Sequence, residues 1–200
     1  HPLLIGVRPS WYFEPGMHGG TINDIAIHAM DLIPWITGLS FATINAARSW
    51  NAFAGDVPHF RDGGQMMLTM NNGAGVLGDV SYFLPDSHGY SLPLYWRMTF
   101  FGREGVIEVS AAQKEIFFAK NGETAVRMVP PPPGDPGGYL RAFLADVRGE
   151  SRSDSLSTPA VLAASRVALA VQKAADENAR EVAFGVRAFP SWPSGSALDT

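Results

Sequence analysis

Between Phe41 and Val129 the chain reads as a succession of short strands joined by turns, and this constrains the fold more than any other feature. Ala42, Ile44, Ala46, Arg48 and Trp50 alternate with Thr43, Asn45, Ala47, Ser49 and Asn51, the period of two that a strand imposes on its faces. Gln65 to Met70, Val76 to Leu84, Leu94 to Phe101, Val106 to Ser110, Glu115 to Lys120 and Thr124 to Val129 continue the series. Asn71-Asn72-Gly73 and Asn121-Gly122 supply residues that tolerate positive φ, as tight hairpins require. Strands joined this closely lack the long crossovers of a parallel sheet. The expected fold is therefore α+β, an open and largely antiparallel β-sheet with helices on one face.

The helical segments flank that series. Thr21 to Gly38 carries a helical pattern, with Thr21 as N-cap, Asp24 at a capping-box position and Gly38 as the terminating residue. Pro34 inside it removes the donor for the Met30 carbonyl and predicts a kink. Tyr139 to Val147 reads as a short helix with Leu140, Phe143, Leu144 and Val147 on one stripe. Thr158-Pro159 opens a long helix, a cap followed by proline at the first position, with Val161, Leu162, Ser165, Leu169 and Gln172 along one side. Leu3 to Val7 is expected as a strand, Arg8 to Met17 as an aromatic loop, and Pro130 to Pro133 as a stiff spacer. Glu181 to Val186 is expected as an edge strand, and residues 188–200 as a tail.

Composition narrows the classes of function. The net charge of −4 argues against a nucleic-acid or anionic-membrane surface. With no cysteine there is no disulfide framework, thiolate nucleophile or cysteine-based metal site. No apolar run reaches the length of a membrane span and no signal peptide is visible, so a cytoplasmic protein is expected. The chain opens His1-Pro2-Leu3-Leu4 without an initiating Met, as expected of a piece of something longer. Gly73-Ala74-Gly75-Val76-Leu77-Gly78 satisfies the dinucleotide spacing G-x-G-x-x-G. The residues that follow alternate like a strand instead of opening the helix that holds a pyrophosphate. The glycines read as a hairpin.

Chemistry concentrates in the helix that follows Gly19-Gly20. At roughly 100° per residue, His28 lies about 40° from Asp24 and Asp31 about 20° to the other side. The three polar side chains thus share one face, while Ile22, Ile25, Ala29, Leu32, Ile33 and Ile36 gather on the face expected to bury. Imidazole exchanges protons near neutral pH, and a carboxylate beside it orients the ring. Three readings fit: an acid/base pair of Asp24 and His28, a divalent-metal site on Asp24, His28 and Asp31, or a cap and an ordinary helix histidine. Asp31 buttresses His28 or pairs with a basic group such as Arg48. Trp35 projects to the side of Asp24 and is a candidate to stack on substrate. Tyr82 and His88 are candidates to line a sheet face.

The stretch from Gly19 to Gly38 resembles the segment that opens the C-terminal domain of the Gfo/Idh/MocA family of oxidoreductases. The shared features are the glycine pair, Asp24, His28 four residues later, Asp31 three after that, and Trp35 before the closing Ile-x-Gly. The Trp11-Tyr12 loop, the strand series, the short Phe-containing helix and the long helix with Ala164-Ser165 follow the same order. The resemblance implies that residues 1–187 form a substrate-binding and oligomerisation domain of the glyceraldehyde-3-phosphate-dehydrogenase-like C-terminal kind, the nucleotide-binding domain being missing. It implies a full-length enzyme using NAD or NADP, acting on a sugar, polyol or derivative, and self-associating through the sheet face. It implies His28 as the general acid/base and Asp24 as its partner, with Trp11, Tyr12, Asp31, Trp35, Tyr82 and His88 as substrate-binding candidates. The chain alone is expected to be inactive. A non-catalytic binding or dimerisation module is the remaining alternative.

Overall fold

The strand series is present, and it divides between two sheets. The computed structural model describes residues 1–150 and 156–185; the expected tail at 188–200 lies outside them. Strands β1 (Phe41–Trp50), β2 (Gly63–Met70), β3 (Gly75–Ser81), β4 (Arg97–Gly102), β5 (Gly105–Ser110), β6 (Ile116–Lys120), β7 (Arg127–Val129) and β8 (Arg180–Ala183) follow in chain order. One sheet runs β3-β2-β1-β8 and the other β4-β5-β6-β7. Every strand pairing within the two sheets is antiparallel. The helices are α1 (Ile27–Thr37), α2 (Gly138–Val147) and α3 (Thr158–Glu177). No helix among the described residues is long and apolar enough to cross a membrane.

The described residues form two compact units, His1–Leu4 with Leu84–Pro136, and Ile5–Phe83 with the described residues from Gly137 onward. The first holds β4 to β7. In it Pro2 bridges Leu84, and the His1 ring lies among Tyr90, Tyr95 and Trp96 at centroid distances of 5.7, 6.0 and 6.2 Å. The strand expected at Leu3 to Val7 does not form, because Leu4 and Gly6 take positive φ (56° and 87°) and turn the chain.

The second unit carries the main core. Ile22, Ala26 and Met30 meet Ile44, Leu68 and Met70 of the sheet and Val167, Ala168 and Val171 of α3. The buried side of α3 is its small-residue face, Ala160, Ala163, Ala164, Val167, Ala168 and Val171, while Val161, Leu162 and Leu169 are exposed. Small side chains on this face let α3 pack against β1. The α2 stripe of Leu140, Phe143, Leu144 and Val147 is likewise exposed. Ile44 is fully buried, so Ile44→Val is expected to cost about 1 kcal/mol in urea unfolding, the usual loss of one core methylene.

The first turn after the glycines is not an ordinary α-helix. Ile22–Ala26 is a π-helical turn that runs into α1. Its i→i+5 bonding places more residues in each turn, which shifts the buried face to Ile22, Ile25, Ala26, Met30 and Pro34 and leaves Ile36 exposed. Thr21 is already helical (φ −65°, ψ −36°) and does not cap; its hydroxyl donates to the Arg61 carbonyl. The free N–H groups of Ile22 and Asn23 instead donate to Oε1 of Gln172, at 2.9 and 3.2 Å. Gly38 ends α1 in the left-handed region (φ 68°), its N–H reaching the Pro34 carbonyl at 2.8 Å. On α3 the cap is Ser157, one residue before the expected Thr158.

Candidate active site

The π turn aims Asp24 away from the helix and into a cluster of rings from the same unit. A 3-10 turn at Ser10–Phe13 buries Tyr12, and Tyr82 follows the end of β3, its N–H held by the Asp62 carbonyl at 2.8 Å. Tyr12 donates its hydroxyl to Asp24 Oδ2 at 2.7 Å, and Tyr82 donates its own to the same oxygen. The two phenol oxygens are 2.6 Å apart. His18 Nε2 lies 3.2 Å from the Tyr82 hydroxyl and 3.7 Å from Asp24 Oδ2, the latter an ion-pair separation rather than a hydrogen bond. Phe60 is buried beneath the cluster, its ring centroid 4.6 Å from that of His18 and 5.6 Å from that of Tyr82. The Arg8 guanidinium lies 4.5 Å over the Tyr12 ring and 5.4 Å from that of Tyr82, a cation–π arrangement.

This geometry fixes the charge on Asp24. His18 foremost, then the phenols of Tyr82 and Tyr12, hold its carboxyl well below the usual carboxylate range against the opposing effect of burial. Each of these groups favours the ionised form, by charge or by donating a hydrogen bond. The phenols move the other way. Burial first, then the hydrogen bond to Asp24, pushes Tyr12 up to about 12 and Tyr82 further still. At neutral pH the site is an anion held by two neutral phenols.

The remaining predicted residues are placed as follows. His28 stands in the first turn of α1 and is exposed. Asp31 is partly buried; burial raises its carboxyl above the ordinary value while the charge of nearby His28 pulls it back. Trp11 and Trp35 are exposed. His88 belongs to the other unit, in the short 3-10 turn Asp86–His88. Arg48 lies 4.3 Å over the Trp50 ring. The structure thus brings Tyr12, Tyr82 and Asp24 together, with Asp31 beside His28 on α1. Among the described residues no group of three or more His, Asp or Glu is arranged to hold a metal ion, so the metal reading of Asp24, His28 and Asp31 has no assembled ligand set. His18 joins the cluster although no motif in the sequence assigns it a role. Its position directly before Gly19-Gly20 was the available signal.

The Gly73–Gly78 segment is a hairpin, as expected: Gly73 takes φ 86° in the turn, and β3 begins at Gly75. No helix follows it, so it gives a dinucleotide pyrophosphate no cradle.

The family model described as the GFO/IDH/MocA C-terminal domain matches residues 2–108. A search of curated proteins finds no match. Among solved structures, the chain is 25% identical to a protein of Thermotoga maritima provisionally named an oxidoreductase, with a TM-score of 0.73, over 90% of this chain and 51% of that one. It is 20% identical to the aldose–aldose oxidoreductase of Caulobacter crescentus, solved with glycerol, with a TM-score of 0.67 over 88% and 51% of the two chains. It is 14% identical to a Desulfitobacterium hafniense protein provisionally named an NADPH-dependent oxidoreductase, with a TM-score of 0.65 over 86% and 51%. The chain spans about half the length of the solved structures it matches.

Proposed function

Because the chain belongs to the Gfo/Idh/MocA family, as its C-terminal domain, we propose that it is the substrate-facing half of a nicotinamide-dependent oxidoreductase acting on a sugar, a polyol or a derivative. The observation that carries this reading is an ionised, partly exposed carboxylate at the start of a helix with an exposed histidine four residues later. Asp24 remains 41% exposed in its side chain although two buried phenols fix it. A polyhydroxylated substrate presents the donors that such an anion accepts. His28 takes or returns the proton of the reacting hydroxyl, with Asp24 orienting that hydroxyl beside it. Trp11, Trp35 and Asp31 border the substrate. The aldose and NADPH named for the two similar structures support the substrate class and the cofactor class.

The chain's own glycine-rich segment does not hold a dinucleotide, so in this reading a separate nucleotide-binding domain does so and supplies the hydride chemistry. This chain supplies binding, orientation and the proton. The sheet β4–β7 offers Phe101 and Met128 as exposed apolar positions on one face for self-association.

The test is made on the full-length protein with NAD or NADP and a panel of aldoses and polyols. His28→Ala and Asp24→Asn are each expected to lower kcat/KM by about a hundredfold or more, with the circular dichroism spectrum and urea midpoint unchanged. Near-normal turnover in both variants overturns the reading. The 200-residue chain by itself is expected to show no saturable binding of NADPH in a fluorescence titration.

A further inference from the structure

Among the described residues, the three polar contacts of the Asp24 carboxylate all fall on one of its two oxygens. Tyr12, Tyr82 and His18 each approach Oδ2, and among the described residues no such contact is given to Oδ1. A carboxylate bound symmetrically by its protein leaves little for a ligand. One bound through a single oxygen is fixed in orientation and still presents the other. Tyr12 and Tyr82 are both buried, and the His18 side chain is only 10% exposed while that of Asp24 is 41% exposed. The holding groups are thus inside, and the held group reaches the surface. We infer that Tyr12, Tyr82 and His18 are positioning residues that saturate Asp24 Oδ2 and so present Oδ1 as the acceptor for a substrate hydroxyl.

The inference rests on the proposed role of Asp24, and it changes what the two tyrosines do. Their hydroxyls are within 2.6 Å of each other and both reach the same carboxylate oxygen. A phenol engaged in this way is not offered to substrate. His18 closes the arrangement. Two phenol protons must serve three close oxygen–oxygen contacts, and an Nε2–H of His18 directed at the Tyr82 oxygen (3.2 Å) supplies a further donor. The charged and titratable groups facing Asp24 in this cluster are Tyr12 and His18 from the loop before the helix, Tyr82 after β3, and Arg8 over the two phenol rings.

Two measurements test this, one independent of activity. In the full chain labelled with carbon-13 at aspartate carboxyls, the Asp24 signal is expected to stay ionised well below the ordinary carboxylate titration. In Tyr82→Phe and His18→Ala its midpoint is expected to move up by about one pH unit, the loss of one charge-assisted hydrogen bond. His18→Gln, which keeps an N–H in reach of Tyr82, is expected to fall nearer the unsubstituted chain. In the full-length enzyme, with D-glucose as the probe polyol, Tyr82→Phe is expected to lower kcat about tenfold with a smaller change in KM, and to shift the acid limb of the pH profile. An unmoved Asp24 midpoint in Tyr82→Phe, His18→Ala and the Tyr12→Phe/Tyr82→Phe pair overturns the positioning role, whatever the activity. Near-normal turnover in both Asp24→Asn and His28→Ala overturns the proposed function instead and leaves the carboxyl titration to decide the positioning role.

Discussion

Asp62→Ala is expected to lower the unfolding free energy by about 3 to 5 kcal/mol. Asp62 is fully buried and lies between the loop that leaves β1 and the start of β2. Its Oδ1 accepts the N–H of Ala52 at 2.6 Å, and its Oδ2 accepts those of Phe53 and Ala54 at 2.7 and 2.8 Å. Three successive backbone donors thus converge on one carboxylate, and no regular element takes them up. Alanine removes both acceptors and leaves the donors facing a cavity, at about 1 kcal/mol or more for each that water cannot reach. The damage extends to the site, because the Asp62 carbonyl accepts from Tyr82 N–H and the neighbouring Arg61 carbonyl accepts from Thr21. Asp62→Asn keeps one acceptor oxygen and is expected to lose roughly half as much. Equilibrium urea unfolding of the three chains measures this. A loss below about 1 kcal/mol for Asp62→Ala would mean that the loop rearranges to satisfy its own donors.

Asp62 also shows where sequence reasoning stops. Nothing in its neighbourhood, Phe60-Arg61-Asp62-Gly63, distinguishes an acid that anchors a loop from one that faces solvent. The strands were legible because their signal is local: alternation and Asn-Gly turns act within a few residues. The observed β1, β2, β5 and β6 lie within two residues of their expected bounds. The division of the strands into two sheets was not legible, since which strand neighbours which is decided by long-range pairing. β8 lies beside β1, more than a hundred residues earlier in the chain. At the site, spacing placed Asp24 and His28 on one helix face by assuming 3.6 residues per turn. The π turn Ile22–Ala26 departs from that geometry around Asp24, while His28 stands in the α-helical turn that follows. No propensity marks a π turn in advance; here it accompanies the burial of Ile22 and Ile25 and the capture of two N–H groups by a glutamine 150 positions away.

That glutamine underlies the second large effect. Gly20→Ala is expected to destabilise by about 3 to 5 kcal/mol, from two separable sources. Gly20 takes φ 97°, a region that costs an L-residue roughly 1 to 2 kcal/mol. A Cβ at that position would also overlap the buried side chain of Gln172, reaching within 2.7 Å even of its Cγ. Gln172 cannot withdraw freely. Its Oε1 holds the N–H groups of Ile22 and Asn23, and its Nε2 donates to Asp176 at 2.9 Å. Displacing it uncaps the π turn that directs Asp24. A double-mutant cycle separates the two sources. In Gln172→Ala the overlap is gone and the caps are already lost, so adding Gly20→Ala there should cost only the backbone term of about 1 to 2 kcal/mol. The expected coupling is about 2 kcal/mol, read from urea midpoints of the four chains. Additivity within about 0.5 kcal/mol would mean that backbone strain alone selects glycine. The pair Gly19-Gly20 would then be a turn requirement, independent of the contact between α3 and the start of the helix.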